Sequence, residues 1–373
     1  MTSSVLLLSA YDAVSHQLWR QRLCGALGDF RWTTLSLPAR HFAWRIRSNG
    51  LHWAYQQKQT LEQHFDLIIA TSMVDLATLR GLCPKLGQIP TVLYFHENQF
   101  AYPAGRQRKG NIEPLLVPVY SALCADRILF NTEYNRRSFL QGVTALSTAL
   151  PEPFPQQALQ QLEQARVIPV PLPAPVASKP AETDTQCLNV IWNHRWEYDK
   201  GPELLLQIVR QCCEQGLPLR FHIVGQQFRE QPKEFAEIDR LLGEFSATAG
   251  MKRGAFGFLP ENEYRELLAQ GDVVLSTALH DFQGLAIQEA CLSGCSPLAP
   301  DELAYPEYLP KSCLYEHAAS DADTGHLVAS RLRQLVELKI SGSTLPTANL
   351  DSFALESVAR EYRRLIEELL GGS

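Results

Sequence analysis

The stretch that decides the fold lies at residues 188–203 and reads LNVIWNHRWEYDKGPE. Its apolar beginning predicts a buried strand at Leu188–Trp192, and a polar loop follows. Pro202 suits the first turn of a helix, because the N–H that proline lacks would be unpaired there, so we predict a helix at Pro202–Gln215. Strand, loop and helix in this order form the repeating unit of a parallel α/β sheet.

The same alternation of short apolar runs and helical periods extends in both directions from this stretch. Further strands are predicted at Val5–Ser9, Asp66–Ala70, Thr91–Phe95, Arg127–Phe130, Leu219–Val224, Ala255–Leu259 and Asp272–Thr277. Further helices are predicted at Glu261–Gln270, Leu285–Ser293 and Ser352–Leu370. In open α/β sheets ligands bind beyond the carboxyl ends of the strands, so the polar residues that follow each strand are the functional candidates.

A proline-rich segment divides the chain. Eight prolines lie between Pro151 and Pro180, and proline at this density interrupts both helix and sheet. With 373 residues, the chain is long enough for two domains. We therefore predict a first domain at 1–172, a linker at 173–186 and a second domain at 187–348. A C-terminal helix at 349–373 is predicted to pack back toward the first domain.

Charge and composition restrict the class of protein. The net charge of −6 divides unevenly: residues 1–172 carry 16 Lys and Arg against 11 Asp and Glu, and the remainder carries 18 against 29. A basic first half indicates an anionic partner, although surface charge distributed by chance is the alternative. No uncharged apolar stretch is long enough to span a membrane, and the nine cysteines lack the spacing of a zinc site. A cytoplasmic protein with reduced thiols is the expectation.

Two cations lie on the loop that follows Leu188–Trp192. Arg195 and Lys200 are five residues apart, so both side chains can converge on one anion. A departing nucleoside diphosphate gains negative charge as its glycosidic bond breaks, and fixed cations stabilise that charge more in the transition state than in the ground state. The N-terminus of the next helix adds N–H donors. The alternative is a solvated loop without function.

Two acids lie on a second loop, at residues 280–290, which reads HDFQGLAIQEA. Asp281 precedes a predicted helix and Glu289 lies within it, and carboxylates accept hydrogen bonds from sugar hydroxyls. Gly284 would allow backbone N–H groups to approach a phosphate or a sugar closely. The alternative assigns Asp281 to capping the helix and Glu289 to the surface.

These residues resemble the hallmark of retaining glycosyltransferases of the GT-B fold, in which an acidic residue, seven others and a Glu follow an Arg…Lys loop. A narrower resemblance, to the tRNA-queuosine mannosyltransferase family, lies in four blocks in order. They are YFHENQFAYP at 94–103, FNTEYNRRSFL at 130–140, NHRWEYDK at 193–200, and SGCSPL at 293–298 with YPE at 305–307.

The resemblance implies a GT-B fold: two Rossmann-like α/β domains whose parallel sheets face an interdomain cleft. It also implies transfer of mannose from GDP-mannose to the cyclopentene-diol of queuosine at the anticodon wobble position of tRNA-Asp. The transfer is expected to retain configuration and to need neither metal nor cofactor. We expect a monomer without stable membrane association.

By position, the resemblance also implies roles for single residues. His96, Arg195, Lys200 and Asp281 are expected to be catalytic. Donor binding is expected of Arg195 and Lys200 together with Ser15, His16, Asn131, Gly284, Leu285 and Glu289. Acceptor binding is expected of Glu97, Asn98, Gln99, Arg106, Arg108 and Lys109. The chain departs from the family pattern at Asp281, where Glu is usual, at Gln283, where an aromatic is usual, and in residues 10–16, which lack glycine.

The first half offers two segments suited to RNA. Residues 40–53, RHFAWRIRSNGLHW, mix cations with aromatic rings, and residues 105–111, GRQRKGN, are basic. Cations neutralise phosphates and aromatic rings stack on unpaired bases. The alternative for 40–53 is an amphipathic helix that packs its own rings, and a membrane-facing helix is a further alternative.

The expected chemistry is a front-face substitution in which a leaving-group oxygen acts as the base. It needs no protein nucleophile, and the sequence lacks the paired carboxylates of a double-displacement glycosidase. The D-x-D motif at 321–323 is interpreted as part of a surface loop. The rival hypotheses are a transferase that acts on a lipid or polysaccharide, and a non-catalytic protein that binds a sugar nucleotide or RNA.

Overall fold

The computed structural model describes residues 2–102, 112–174, 186–246 and 251–371. The chain divides into two compact units, of which the first contains Met1–Pro173 with Asp351–Ser373 and the second contains Ala174–Leu350. The predicted acceptor residues Arg106, Arg108 and Lys109 and most of the predicted linker at 173–186 lie outside the described residues.

The first unit is built on a parallel sheet covered by helices. Its strands are β1 (Ser4–Asp12), β2 (Arg31–Pro38), β3 (Leu67–Thr71), β4 (Thr91–Phe95), β5 (Arg127–Phe130) and β6 (Arg166–Val167). Its helices before the boundary are α1 (Val14–Ala26), α2 (Phe42–Gln56), α3 (Lys58–Leu61), α4 (Leu76–Leu82), α5 (Glu113–Leu123), α6 (Glu133–Ala149) and α7 (Gln156–Glu163). The strand order is β2-β1-β3-β4-β5-β6, and every pair is parallel.

The second unit repeats this architecture. Its strands are β7 (Leu188–Trp192), β8 (Leu219–Val224), β9 (Lys252–Gly257), β10 (Val273–Leu275), β11 (Ser296–Pro300) and β12 (Leu314–Tyr315). Its helices are α8 (Pro202–Glu214), α9 (Glu234–Ser246), α10 (Glu261–Gln270), α11 (Leu285–Leu292) and α12 (Asp321–Ile340). The strand order is β12-β11-β10-β7-β8-β9, again with parallel pairs.

The last helix, α13 (Leu355–Gly371), belongs to the first unit. Leu172 and Ala354 form a parallel bridge, and the Leu172 N–H donates to the Phe353 carbonyl at 2.8 Å, which joins the returning chain to the first unit. From there α13 packs on α1, with its apolar face, including Tyr362, buried.

Four strands, β4, β5, β7 and β8, have the predicted bounds, and β1, β3 and β10 differ from them at their ends. Val5 to Leu8 in β1 and all of β4 and β7 are buried, as expected of parallel strands covered by helices. The prediction began β9 three residues late and missed β2, β6, β11 and β12. The edge strands β2 and β9 have mostly exposed or half-buried side chains, so their sequences lack a continuous apolar run. The strand β11 is central and buried, but its two prolines argue against a strand in the sequence.

The structure bears on two interpretations of local sequence. The segment 40–53 contains an amphipathic helix, α2, which buries Trp53 but leaves Trp44 71% exposed. The interpretation of residues 321–323 as a loop is wrong, because they form the first turn of α12. The Ser320 hydroxyl caps this helix by accepting from the Asp323 N–H.

Among the described residues, no helix is long and apolar enough to cross a membrane.

Candidate active site

Two stacked histidines lie at the carboxyl edge of the first unit's sheet. His96 directly follows β4, and His16 lies in the first turn of α1, just after β1. Their rings stack with centroids 4.0 Å apart and planes 18° apart. Both side chains are buried. Among the described residues, the buried atoms His16 Nδ1 and His96 Nε2 have no hydrogen-bond partner, and unsatisfied buried polar groups of this kind are rare enough to mark a candidate functional site.

Burial keeps this histidine pair neutral. Desolvation lowers the pKa of His16, although the charges of Glu97 and Asp12 oppose the shift. Desolvation, together with the neighbouring His16, holds the pKa of His96 well below its usual value. A neutral imidazole has one donor and one acceptor nitrogen, so the pair can bind hydroxyl groups without carrying charge.

Aromatic residues fix the orientation of His96. The Trp19 ring stands edge-on to His96 with centroids 4.8 Å apart and stacks on Tyr94 at 4.7 Å. The Trp19 Nε1–H donates to the Tyr362 hydroxyl of α13 at 3.1 Å, and the Tyr94 hydroxyl donates to the Ile168 carbonyl at 2.9 Å. Each ring is therefore held by a hydrogen bond as well as by packing.

Three buried asparagines fix the loop after β4. The Asn131 amide donates to the His96 carbonyl at 2.9 Å, and the Asn135 amide donates to Asn131 Oδ1 at 2.7 Å. The Asn98 amide donates to Asn135 Oδ1 at 2.8 Å, and Asn98 Oδ1 accepts from two backbone N–H groups of the same loop. Through these bonds, Asn98 and Asn131 hold the conformation of the loop.

The remaining candidates of the first unit lie near this loop. Glu97 and Gln99 are half-buried, and the Tyr102 hydroxyl donates to Glu97 Oε2 at 2.7 Å. Ser15 is half-buried beside His16 at the start of α1, where the preceding Ala13 provides no side-chain cap. The first unit thus gathers its described candidates at the carboxyl ends of β1, β4 and β5.

In the second unit, the two predicted loops lie side by side because β7 and β10 are neighbouring strands. Thr277 connects them: its hydroxyl accepts from Trp192 Nε1–H at 2.9 Å and donates to the Lys200 carbonyl at 2.7 Å. The Leu279 N–H also donates to the Asp199 carbonyl at 2.9 Å. This backbone approach needs Gly201, which has φ 64°, because a Cβ there would lie 2.0 Å from the Thr277 carbonyl oxygen.

The structure brings three of the predicted catalytic side chains into one cluster. Lys200 Nζ donates to the His280 carbonyl at 2.6 Å and lies 3.3 Å from Asp199 Oδ2 and 3.8 Å from Asp281 Oδ2. Lys200 is buried, whereas the Arg195 side chain is 46% exposed. Arg195 forms an ion pair with Glu197 and lies 3.5 Å from Asp199 Oδ2. An anion in solvent can therefore reach the Arg195 side chain directly. The Lys200 side chain is buried and is held in place by the His280 carbonyl and Asp199.

Asp281 holds the residue that begins a helix and also faces Lys200. Its Oδ1 accepts at 2.9 Å from the N–H of Gly284, the N-cap residue of α11. Its Oδ2 accepts from the Tyr305 hydroxyl at 3.3 Å. Burial raises the pKa of Asp281, but Lys200, His194 and the Gly284 N–H outweigh that effect, and the net pKa is lowered. The carboxylate is therefore ionised at neutral pH. Asp281 is not itself the N-cap of α11, so the capping alternative does not describe its contacts.

A buried chain of polar residues lies behind Asp281, and the sequence motifs did not predict a role for it. His194 Nε2 lies 3.1 Å from the Ser276 hydroxyl, which lies 2.8 Å from the Tyr305 hydroxyl. Desolvation and the nearby Lys200 charge lower the pKa of His194 to about 4. Position is the signal that could have found these residues, because Ser276 directly follows β10 and His194 is the second residue after β7.

Glu289 lies on α11, beside the start of the Arg195 loop. Burial raises the pKa of Tyr264, and the negative charge of Glu289 raises it further. The Asn193 amide donates to the Tyr264 hydroxyl and to the Ala286 carbonyl, both at 2.9 Å. Leu285 begins the same helix and is half-buried.

No group of three or more His, Cys, Asp or Glu side chains suited to a metal occurs among the described residues.

Comparison with known proteins identifies the family of this chain. Residues 4–172 match the model of the tRNA-queuosine alpha-mannosyltransferase N-terminal region. The chain is 33% identical over 368 residues to the tRNA-queuosine alpha-mannosyltransferase of Drosophila melanogaster, and the match covers 96% of this chain and 95% of the relative. The chain belongs to the tRNA-queuosine alpha-mannosyltransferase family. This member of the family is a glycosyltransferase.

More distant similarities agree with the fold of the family. A gpi3 subunit of a phosphatidylinositol N-acetylglucosaminyltransferase from Schizosaccharomyces pombe is 20% identical over 190 residues, which is 51% of this chain and 40% of that protein. A sucrose-phosphate synthase from Thermosynechococcus elongatus superposes with a TM-score of 0.66 at 13% identity over the whole of both chains. Anabaena HepE, solved with UDP and glucose, superposes with a TM-score of 0.64 at 14% identity, covering 98% of this chain and 100% of HepE. These neighbours confirm the predicted α/β class and the GT-B fold.

Proposed function

We propose that this glycosyltransferase moves mannose from GDP-mannose to the cyclopentene-diol of queuosine in tRNA, at the wobble position of tRNA-Asp, with retention of configuration. The observation that carries the proposal is the identity to the Drosophila tRNA-queuosine alpha-mannosyltransferase along nearly the whole of both chains. The basic first half, with 16 Lys and Arg against 11 Asp and Glu in residues 1–172, suits a polyanionic acceptor.

The cluster around Lys200 supplies positive charge, which stabilises the negative charge that develops as the leaving group departs. In this proposal, Arg195 and Lys200 bind the diphosphate, and their charges stabilise the GDP that forms as the bond to mannose breaks. Arg195 must leave Glu197 to do so, and its exposure allows the movement. The N-termini of α8 and α11 lie on the two adjoining loops and add backbone donors for the phosphates.

The acids and the histidine pair bind hydroxyl groups. The ionised Asp281 accepts from the donor sugar, Glu289 accepts from the ribose, and Gly284 and Leu285 present backbone at the start of α11. In the first unit, the unpartnered nitrogens of His16 and His96 contact the sugar, with Ser15 and Asn131 beside them. Glu97 and Gln99 face the acceptor.

The reaction proceeds as a front-face substitution. The queuosine hydroxyl attacks the anomeric carbon from the face that GDP leaves, and a phosphate oxygen of GDP takes the hydroxyl proton. One C–O bond breaks, one C–O bond forms on the same face, and GDP departs with the proton. Positioning and charge stabilisation carry the rate enhancement in this scheme, and no protein nucleophile or metal takes part.

GDP release tests donor and acceptor together. We expect release from GDP-mannose to require tRNA that contains queuosine, and to be absent with the same tRNA carrying guanosine at the wobble position. UDP-glucose should support little release. EDTA should leave the rate unchanged, and a strong loss with EDTA would refute the metal-free scheme. Release that depends instead on a lipid-linked or polysaccharide acceptor would favour the rival transferase.

A further inference from the structure

The outer face of α2 carries exposed rings that nothing in the described structure covers. The helix buries Ile46, Trp53 and Ala54 on its inner side. Trp44, Leu51 and Tyr55 are 71%, 51% and 70% exposed. At about 100° per residue, positions 44, 51 and 55 fall on one narrow stripe of the helix surface. Grouped, exposed, large apolar side chains mark an interaction surface.

Positive charge surrounds this stripe. Residues 30–61 contain five Lys and Arg and no Asp or Glu. Arg45 and Arg47 flank the stripe on its two sides, and Arg47 is bound to Asp75 at 2.7 Å. Among the described residues, Arg40 and Arg45 have no ion pair, and Arg45 Nε is buried without a hydrogen-bond partner. The positive charges of Arg40, just before α2, and of Arg45, in its first turn, are therefore not neutralised by an acid among the described residues.

The stripe begins at the edge of the sheet that carries the histidine pair. Helix α2 follows the carboxyl end of β2, and β2 is parallel to β1. The Phe42 ring, at the start of α2, contacts the Tyr11 ring at the end of β1, with centroids 5.9 Å apart. His16 and His96 follow β1 and β4 at the same edge. The start of α2 therefore lies at the same edge of the sheet as the histidine pair.

We infer that the stripe of Trp44, Leu51 and Tyr55, with Arg40 and Arg45, is the surface on which the enzyme docks the unpaired nucleotides that flank the modified base. This inference rests on the proposed tRNA acceptor. Trp44 and Tyr55 stack on bases, because every base has a π-face, and the two arginines neutralise phosphates. From position 44 to position 55 the helix rises about 16 Å, the length of roughly five stacked nucleotides.

Two features favour RNA over a lipid surface. The stripe has a single aliphatic member, Leu51, between two amphipathic rings, whereas a helix that lies in a bilayer needs a broad apolar face. The surface is also continuous with the sheet edge that holds the histidine pair. One nucleic-acid ligand can therefore occupy both places.

Equilibrium binding of a fluorescein-labelled, queuosine-containing tRNA tests the inference without requiring turnover. Trp44→Ala should raise Kd about 10-fold, Tyr55→Ala should act similarly, and Trp44→Phe should keep most of the affinity. Leu327→Ala is the matched control, because Leu327 is an exposed apolar side chain on α12, and it should leave Kd unchanged. Because all these side chains are exposed, the variants should fold like the wild type.

The salt dependence separates stacking from charge. Trp44→Ala should weaken binding at every salt concentration and leave the slope of log Kd against log salt unchanged. Arg45→Gln should reduce that slope by roughly 0.7 to 0.9, the contribution of one phosphate contact. An unchanged Kd in the Trp44→Ala/Tyr55→Ala double variant would overturn the inference. Two other results in that double variant would also overturn it, provided that its Kd for tRNA is unchanged. One is the loss of binding to vesicles of phosphatidylcholine and phosphatidylserine, and the other is the loss of self-association.

The outcomes also separate this inference from the proposed function. If wild-type enzyme binds the tRNA through α2 but releases no GDP from GDP-mannose, the docking surface stands and the proposed reaction fails. If GDP release depends on queuosine-containing tRNA but the α2 variants bind that tRNA normally, the reaction stands and the docking surface is refuted.

Discussion

Trp19 and Tyr362 are 343 positions apart in the chain, and the Trp19 Nε1–H donates to the Tyr362 hydroxyl at 3.1 Å inside the first unit. Through this bond, the last helix of the chain holds the ring that stands against His96. The C-terminal helix thus acts as a positioning element for the histidine pair as well as a part of the fold.

Replacing Tyr362 with Phe tests that positioning. The change leaves the Trp19 Nε1–H buried without a partner, which should lower the free energy of unfolding by about 1–3 kcal/mol. Because Trp19 then has a less fixed orientation, kcat should fall more than KM rises. Chemical denaturation and steady-state kinetics measure the two effects, with Tyr120→Phe, at an exposed site on α5, as the control. Normal kcat in a destabilised Tyr362→Phe enzyme would limit Tyr362 to a structural role.

Arg195→Ala removes the exposed cation of the second unit's cluster. Because the charge that develops on GDP then has one fewer cation, kcat should fall on the order of 100-fold or more. Arg240→Ala is the control, since Arg240 forms an exposed ion pair with Glu244 on α9. Near-normal turnover in the Arg195→Ala enzyme would remove Arg195 from the mechanism.

Asp281→Asn separates the two roles of Asp281. The amide oxygen can still accept from the Gly284 N–H, so this bond and the unfolding free energy should be nearly preserved. The negative charge beside Lys200 and the strong acceptor for the sugar are lost, so kcat/KM should fall about 100-fold. Asp281→Glu, which keeps the charge, should retain more activity. Equal activity of the Asn variant and the wild type would show that holding the start of α11 is the whole role of Asp281.

Stability should fall as the pH is lowered from about 6.5. Burial lowers the pKa of His16, His96 and His194, so the unfolded chain binds protons at pH values where the native state does not. For His194, with a native pKa of about 4, the loss should approach roughly 3 kcal/mol near pH 4 and be absent above pH 7. Urea unfolding across this range measures it, and His194→Gln should remove the His194 contribution and leave that of the other buried histidines. A flat wild-type profile would contradict a neutral, buried His194.

A continuous apolar run without proline decided which strands the sequence could predict. The bounds of β4, β5, β7 and β8 were confirmed because each is a run of apolar residues limited by polar ones. The edge strand β2 escaped prediction because most of its side chains are exposed or half-buried, and β12 has only two residues. The central strand β11 is buried, but it escaped prediction because two of its five residues are prolines.

The same distinction applies to the candidate site. Local sequence pointed to the Arg195 loop and the Asp281 loop, and the pairing of β7 with β10 makes them neighbours. The stacking of His16 on His96 and the bond from Trp19 to Tyr362 depend on how α1 and α13 pack. No spacing in the sequence encodes those contacts. Likewise, the sequence does not show that Trp44 is exposed while Trp53 is buried, because that depends on which face of α2 packs against the rest of the first unit.

Mass spectrometry of the modified nucleoside tests the central claim most directly. Queuosine-containing tRNA-Asp is incubated with the enzyme and GDP-mannose, digested to nucleosides and analysed against a reaction without enzyme. The proposal predicts that queuosine disappears and a nucleoside heavier by one hexose takes its place. Unchanged queuosine, under conditions in which the enzyme binds GDP-mannose and the tRNA, would contradict it.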